Sequence, residues 1–532
     1  MAKPFGRVLG NRISVPRTQD EEKQFVIEGR VNGGMITTLG GADIPPSALQ
    51  DAKNVQIILD KLRTSYGSTL LTPTKPDSDP VLLIYSFKTN AGVAYTLRFT
   101  QNEVHLRLGS WTSLTGTLTG GLSNRFQAIT AFDKCIFTNG IDNIKVVDTT
   151  SNSYVDLGNA PTYRYISAFY NRVVGFGFIG GTNNPVQLGW SGDGNITEWD
   201  PLVDLSAGST PLIESPGDFS DYGTGVFGFT NVMILLREKS IWLATKQPSA
   251  SNPFNLFAAV AGKGCTCPYS AAVLPGGLGW VDARTQKVYV YQPGPNGGEP
   301  ASIGDAIKND LFRSITEHHD VVGSYSTRHN RYTVMLPMIG SNYRKLWTFD
   351  FEAKGWTYEE KENITSINDI DTLSAPVFID DLPGFIDDLT GYIDDLGGSV
   401  DSASVRVFGF NDGSIQYEDE GAITLNGTPF TSSITTKDFQ WPVVTTSFVK
   451  AKFEFNIITP VTINLAYSRD LGKTWTIAKS VTYPEPGMNV FVYQKLIRSR
   501  KLTYKIYSTN GMWELLDYEI HGVGSGEVIT NI

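Results

Sequence analysis

Val81-Leu-Leu-Ile-Tyr-Ser-Phe87, Ala94-Tyr-Thr-Leu-Arg-Phe99 and Glu103-Val-His-Leu-Arg-Leu108 follow one another with only Asn- and Gly-bearing gaps between them. Short runs rich in branched and aromatic residues, punctuated in this way, read as strands joined by tight turns. The same beat continues in Cys135-Ile-Phe-Thr138, Ile144-Lys-Val-Val-Asp148, Val173-Val-Gly-Phe-Gly-Phe178, Val232-Met-Ile-Leu-Leu236 and Ser240-Ile-Trp-Leu243. It resumes in Gly279-Trp-Val281, Lys287-Val-Tyr-Val-Tyr291, Arg331-Tyr-Thr-Val-Met-Leu336 and Lys345-Leu-Trp-Thr-Phe-Asp350. These strands group into units near 80–120, 125–160, 163–205, 221–262, 264–315 and 319–362, a spacing that fits four-stranded propeller blades. Asn139-Gly140 is the pair a two-residue hairpin turn prefers. Helical periodicity is confined to Ser47–Asn54 and Gly304–Ser314.

The expected fold class is therefore all-β: a β-propeller body with a C-terminal antiparallel β-sandwich-like domain. A pair of β-sandwiches is the alternative for the body. The C-terminal reading rests on the clean alternation of Phe448-Val-Lys-Ala-Lys-Phe-Glu-Phe455, Val461-Thr-Ile-Asn-Leu-Ala-Tyr467, Asn489-Val-Phe-Val-Tyr493 and Leu502-Thr-Tyr-Lys-Ile-Tyr507. Alternation of that kind marks half-buried antiparallel strands. The domain organisation expected is an N-terminal arm (1–45), the main blades (46–375), a connector (376–400), final propeller strands (401–446) and a C-terminal β domain (447–532). The connector holds three seven-residue copies, Phe378-Ile-Asp-Asp-Leu-Pro-Gly384, Phe385-Ile-Asp-Asp-Leu-Thr-Gly391 and Tyr392-Ile-Asp-Asp-Leu-Gly-Gly398. Glycine in every copy argues against a long helix and for an acidic extended segment.

With 532 residues the chain is long enough for several cores, and 53 Gly with 27 Pro and only 18% charged residues disfavour helical bundles. The 28 Phe, 23 Tyr and 10 Trp supply enough apolar surface to exclude disorder along the whole length. Forty-four basic against 54 acidic side chains give a formal charge of −10, which argues against a general duplex-binding surface. Cys135, Cys265 and Cys267 are too few and too badly spaced for a disulfide framework or a four-ligand zinc site, so a reducing compartment is expected. The first residues, Met-Ala-Lys-Pro-Phe-Gly-Arg, lack the apolar stretch of a signal peptide, and no window reaches the roughly 18 apolar residues of a membrane helix. A chain soluble when made is expected.

Ser468-Arg-Asp-Leu-Gly-Lys-Thr-Trp475 matches the Asp-box pattern at Ser468, Asp470, Gly472, Thr474 and Trp475. Its expected role is a fold-stabilising hairpin: Asp470 accepting backbone N–H groups, Gly472 at positive φ, Trp475 packed beneath. Because this motif also occurs in sialidases, it raises a glycan-cleaving alternative, although a single good copy with a partial echo at Ser191–Trp199 falls short of that family's pattern. His105, His318, His319, His329 and His521 have no His-Glu-x-x-His or Gly-x-Ser-x-Gly partner, and His318-His319 reads as surface loop. No catalytic residue, metal site or cofactor is expected. Lys495-Leu-Ile-Arg-Ser-Arg-Lys501 is the one dense basic cluster; a solvated strand edge is weighed against a phosphate contact.

Asp51-Ala-Lys-Asn-Val55 with Lys61-Leu-Arg-Thr-Ser-Tyr-Gly67, and Arg164-Tyr-Ile-Ser-Ala-Phe-Tyr-Asn-Arg-Val173 with Leu188-Gly-Trp-Ser191 and Trp199-Asp-Pro201, form an ordered set. With the Ile-Asp-Asp-Leu copies and Ser433-Ile-Thr-Thr-Lys-Asp-Phe439, the set resembles the tail nozzle proteins of short-tailed bacteriophages over about residues 45–440. The resemblance implies a homo-hexamer in the virion tail, assembled in the host cytoplasm, beneath a portal and adaptor ring and beside tail fibres or spikes. It implies a structural, non-enzymatic protein that closes the exit channel and conducts genomic double-stranded DNA during ejection. On that reading Asp380, Asp381, Asp387, Asp388, Asp394 and Asp395 are candidate channel-facing acids. The complete Asp-box is a departure that leaves room for contact with a host surface glycan; a glycan-binding or glycan-cleaving tail protein is the alternative function.

Overall fold

A computed structural model describes residues 23–528, except 60, 180–183, 214–219, 295–296, 316, 339, 373–402 and 441–442. The hairpin-by-hairpin sequence pattern folds as local meanders, and seven four-stranded units result among the described residues. Blades 1 to 6 each come from one contiguous stretch, at 83–113, 127–156, 163–211, 223–261, 272–302 and 322–362. Blade 7 takes Ile364–Thr372, Ala403–Phe410 and Ile415–Asp419 from late in the chain and Gly67–Leu70 from early in it. That shared blade closes the ring with backbone hydrogen bonds, because its outermost strand precedes blade 1 in sequence.

The first strand of each blade is innermost and, except between blades 4 and 5, packs on the first strands of its neighbours, Ile364–Thr372 against Leu83–Lys88 completing the circle. Between blades the cores are aromatic and aliphatic. Phe99, Phe126, Phe137 and Tyr154 join blades 1 and 2, and Leu236, Leu243, Trp280 and Tyr291 join blades 4 and 5. Burial of such side chains, each about 1.5–3 kcal/mol, is what holds blades that share no ladder hydrogen bonds. The tight inner hairpins use positive φ at Phe132-Asp133 and Tyr170-Asn171. Asn139-Gly140 does not form a two-residue turn: six residues separate Thr138 from Lys145, and the Asn139 carboxamide accepts the amides of Ile141 and Asp142 instead.

The C-terminal strands form two packed sheets. One runs Leu49–Lys53, Ser432–Thr436, Thr503–Ser508, Val461–Ser468, Thr476–Tyr483. The other runs Val55–Ile58, Lys61–Thr64, Trp513–Val528, Val443–Ile457, Gly487–Arg498, with Lys23–Gly29 also on Trp513–Val528. Phe453, Phe455, Trp513, Tyr504, Ile463 and Leu465 fill the space between them. The first sheet continues into blade 6 through a parallel bridge, Lys53 to Tyr358, so sandwich and propeller share one nine-stranded sheet.

Several boundaries shift from those read in the sequence. Lys23–Gly29 is a sandwich strand rather than part of an arm, and 49–64 belongs to the sandwich rather than to a blade. Ser432–Thr436 pairs with Thr503–Ser508, outside the propeller. Ser47–Asn54 holds a strand and no helix, because Leu49 and Ala52, both fully buried, serve the sandwich core and pairing overrides local propensity. The other segment read as helical does hold helix, as short 3₁₀ and α turns over 305–314. The acidic connector at 376–400 lies outside the described residues.

Candidate functional site

Aromatic and acidic side chains converge where blades 6, 7 and 1 meet the sandwich. A cavity of about 1000 Å³ opens there, with Trp111, Tyr343, Phe410 and Phe430 around Glu360, Glu362 and Asp412. Each comes from a different piece of local architecture. Trp111 stands on the outermost strand of blade 1, Ser110–Ser113, and its indole N–H donates to Thr72 Oγ1 at 3.0 Å. Tyr343 and Glu362 are cross-strand partners at the ends of Tyr343–Asp350 and Gly355–Glu362. Phe430 arrives on the loop that leaves blade 7 for the sandwich.

Glu360 and Glu362 are two residues apart on one strand, so they share a face with about 7 Å between their Cα atoms. Glu360 is held from two sides: its amide donates to Asn54 Oδ1 at 2.8 Å, and its carboxylate pairs with Lys53. Asn54 sits at φ 52° and also donates its amide nitrogen to the Thr431 carbonyl at 2.8 Å, tying three segments together at the cavity wall. Glu362 is exposed and has no ion-pair partner among the described residues. Asp412 lies in the blade 7 hairpin, where Ser414 donates from its amide at 3.0 Å and its hydroxyl at 2.6 Å, with Lys75 at 3.4 Å. Burial alone would raise the Asp412 carboxyl, but these donors outweigh it and hold it below the usual carboxylate range.

The alternate residues of the same strand point the other way. Glu359 and Lys361 enter the interface of blades 6 and 7, where Arg406 donates to Glu359 at 2.6 Å and to Glu418, and Lys361 lies 3.4 Å from Glu359. All four side chains are almost fully buried. Desolvation raises the Glu359 carboxyl, yet Arg406 and Lys361 win and hold it low. The Lys361 ammonium also sits 4.5 Å from the Phe408 ring centre. This cluster fixes the backbone from which Glu360 and Glu362 project.

Asp77, Glu103 and His105 converge beside the cavity in a way that could suggest a metal. Arg98, fully buried, supplies the positive charge instead, with Nη1 2.7 Å from Asp77 Oδ2 and 3.1 Å from His105 Nδ1. Burial first, and Arg98 second, push the His105 imidazole below its usual range. A neutral ring accepts from Arg98 at Nδ1 and turns Nε2 toward Glu103, 3.2 Å away, and Asp77, 3.5 Å away. The trio is an ion-pair and hydrogen-bond network that anchors residues 77–79 to blade 1.

The Asp-box forms the hairpin between Val461–Ser468 and Thr476–Tyr483. Ser468 Oγ accepts the Gly472 amide at 2.8 Å and donates to Asp470 Oδ1 at 2.7 Å. Asp470 accepts the Thr474 amide at 2.8 Å and hydroxyl at 2.6 Å; the Thr474 hydroxyl first, then Ser468, pull its carboxyl down to about 2. Leu471 and Gly472 occupy positive φ at 61° and 80°. Trp475 packs near Gly472 and lies 5.9 Å from the Lys505 ammonium. The side-chain polar groups of Ser468, Asp470 and Thr474 are all used to hold the turn. The candidate acids Asp380, Asp381, Asp387, Asp388, Asp394 and Asp395 lie outside the described residues.

Cys135, Cys265 and Cys267 are free thiols in the core, and burial pushes Cys267 up to about 12. His318 and His319 form a 3₁₀ turn with Asp320, which receives Arg125 at 3.4 Å. The basic run reaches along the edge strand Gly487–Arg498 into the following turn. Sequence reasoning missed the cavity. Two signals for it were present: a lone Trp in the polar strand Ser110-Trp-Thr-Ser113, and the charge run Glu359-Glu-Lys-Glu362 at a strand end.

No protein-family model matches the chain, and no curated protein matches it. Among solved structures the chain is similar to an exo-β-1,3-galactanase from Phanerochaete chrysosporium with galactose, at 10% identity and a TM-score of 0.25. A variant of that enzyme with β-1,3-galactotriose matches at 10% identity and a TM-score of 0.26; each alignment covers 70% of this chain and 98% of the other. Both are structures of a glycan-cleaving enzyme and neither is a tail nozzle; the expectation of a non-enzymatic tail nozzle has no support from them and is dropped. At such scores the likeness transfers no residue, substrate or activity to this chain.

Proposed function

We propose that the chain recognises a glycan in the cavity between blades 6, 7 and 1 and the sandwich. The observation that carries this reading is the convergence of four aromatic rings with three carboxylates and Lys53 and Lys75 around one cavity of about 1000 Å³. Sugars present apolar C–H faces that stack on aromatic rings and hydroxyls that donate to carboxylates; pockets of this size suit a short oligosaccharide. Trp111 is the stacking platform, pre-oriented by Thr72, while Glu360 and Asp412, each held by a lysine and by backbone, accept hydroxyl protons.

The same-face placement of Glu360 and Glu362 makes them the pair to examine for hydrolysis, since glycosidases hold two carboxyl groups about 5–9.5 Å apart. Lys53 pairs with the Glu360 carboxylate, and Glu362 has no such partner among the described residues. The test is an array of neutral oligosaccharides, followed by product analysis on the best binders. The reading expects at least one binder whose retention drops about tenfold or more in Trp111→Ala, and any cleavage to fall about a hundredfold or more in Glu362→Gln. Retention unaffected by Trp111→Ala, Glu360→Gln and Asp412→Asn would overturn it.

A further inference from the structure

A second cavity, of about 1050 Å³, lies at the far side of the sandwich and brings together two motifs that sequence kept apart. The Asp-box turn contributes Arg469 and Lys473, and the basic run contributes Arg500 and Lys501. The two segments reach one cavity because Val461–Ser468 and Thr503–Ser508 are neighbours in one sheet, placing the turns beyond Ser468 and before Thr503 at the same end. Across from them the loop 40–43 is pressed close: a Cβ on Gly41 would lie 2.5 Å from Asp438 Oδ2 and 2.5 Å from Gln50 Nε2.

The charge balance of this cavity is opposite to that of the whole chain. Among the described residues, Arg469, Lys473, Arg500 and Lys501 join no ion pair, and all but Lys501 are exposed. The nearby carboxylates are engaged elsewhere: Asp470 by Thr474 and Ser468, and Asp438 by Gln50 at 2.7 Å and by Thr503. Asp43 alone remains an exposed acid. Four free cations on a protein of formal charge −10 have no folding role that the contacts reveal.

We infer that this cavity binds an anionic saccharide, a sugar bearing carboxylate or phosphate groups. The cations meet the charged groups, Asp43 accepts sugar hydroxyls, and Leu471, 53% exposed between Arg469 and Lys473, offers an apolar surface to ring C–H groups. A nucleic-acid strand fits worse, because no aromatic side chain lines the cavity to stack a base and Asp43 repels a continuous phosphate backbone. This inference stands apart from the propeller cavity, which shares none of these residues.

The test is calorimetric titration of the whole chain with trigalacturonate, with neutral galactotriose, with inorganic phosphate and with a short thymidine oligonucleotide. Trigalacturonate should bind, weaken with added salt, and lose about tenfold or more in affinity in an Arg469→Ala/Arg500→Ala variant. A Lys88→Ala control on blade 1 should bind as the parent does, and unchanged thermal midpoints establish that the exposed substitutions leave the fold intact. Galactotriose binding as tightly, oligonucleotide binding more tightly, phosphate alone accounting for the heat, or no loss in the double variant would each overturn the inference.

Discussion

Arg406→Met tests the reasoning about the buried charges beneath the propeller cavity. Arg406 holds both Glu359 and Glu418, and removing its guanidinium leaves two carboxylates facing Lys361 alone. Breaking a buried pair from one side costs about 3–5 kcal/mol, because the stranded charge has lost water and gained nothing. A propeller of roughly 340 residues unfolds with an entropy near 0.7 kcal/mol/K, at about 2 cal/mol/K per residue. A loss of about 4 kcal/mol therefore lowers the midpoint by roughly 5 °C. Differential scanning calorimetry at neutral pH reads it directly. A second arm replaces the set together, as Glu359→Leu, Lys361→Met, Arg406→Met and Glu418→Leu, and should recover most of the loss because no ion remains uncompensated. A single variant within about 1 °C of the parent, or a quadruple variant falling further than the single, would refute the argument.

Three further outcomes follow from particular residues. Asp369, on the innermost strand of blade 7, is raised to about 6 by burial, which hydrogen bonding from Ser404 offsets only in part. The folded state thus keeps a proton that the unfolded chain releases near pH 4, so stability falls as pH rises from about 4 to 6; Asp369→Asn should flatten that slope and raise the midpoint above pH 6. Asp470 behaves oppositely: its carboxyl at about 2 stabilises above the ordinary value of 3.8 and stops doing so as pH falls through 2. Asp470→Asn should speed amide exchange across 468–475 and remove that acid-side dependence. Gly67 begins the strand that closes blade 7, and a Cβ there would lie 2.3 Å from the Thr424 carbonyl oxygen. Gly67→Val should cost about 1–3 kcal/mol and open residues 403–419 to limited proteolysis.

Blades 1 to 6 were legible because each is a meander whose partners are neighbours in sequence, so Val173–Phe178 or Arg331–Pro337 announces itself and its hairpin together. What escaped was long-range. Nothing local marks Gly67–Leu70 as a partner of Ile415–Asp419, or Leu49–Lys53 as a partner of Ser432–Thr436. Leu49 to Asn54 even imitates a helix, since Leu49 and Ala52, three residues apart, face one core through a register shift between Leu49 and Asp51. The Asp-box was read correctly as a turn pattern because its bonds span at most four residues. The propeller cavity was not, because Trp111, Glu360, Asp412 and Phe430 meet only after the ring closes, and single residues on separate loops leave no periodic trace.

The most direct test of the central claim uses the chain labelled with 5-fluorotryptophan and followed by fluorine NMR, with the Trp111 signal assigned through Trp111→Phe. On addition of the best-binding neutral oligosaccharide, the account predicts that the Trp111 resonance shifts while those of the buried Trp280, Trp347 and Trp513 stay in place. A titration that leaves Trp111 unmoved as the sugar binds would contradict it.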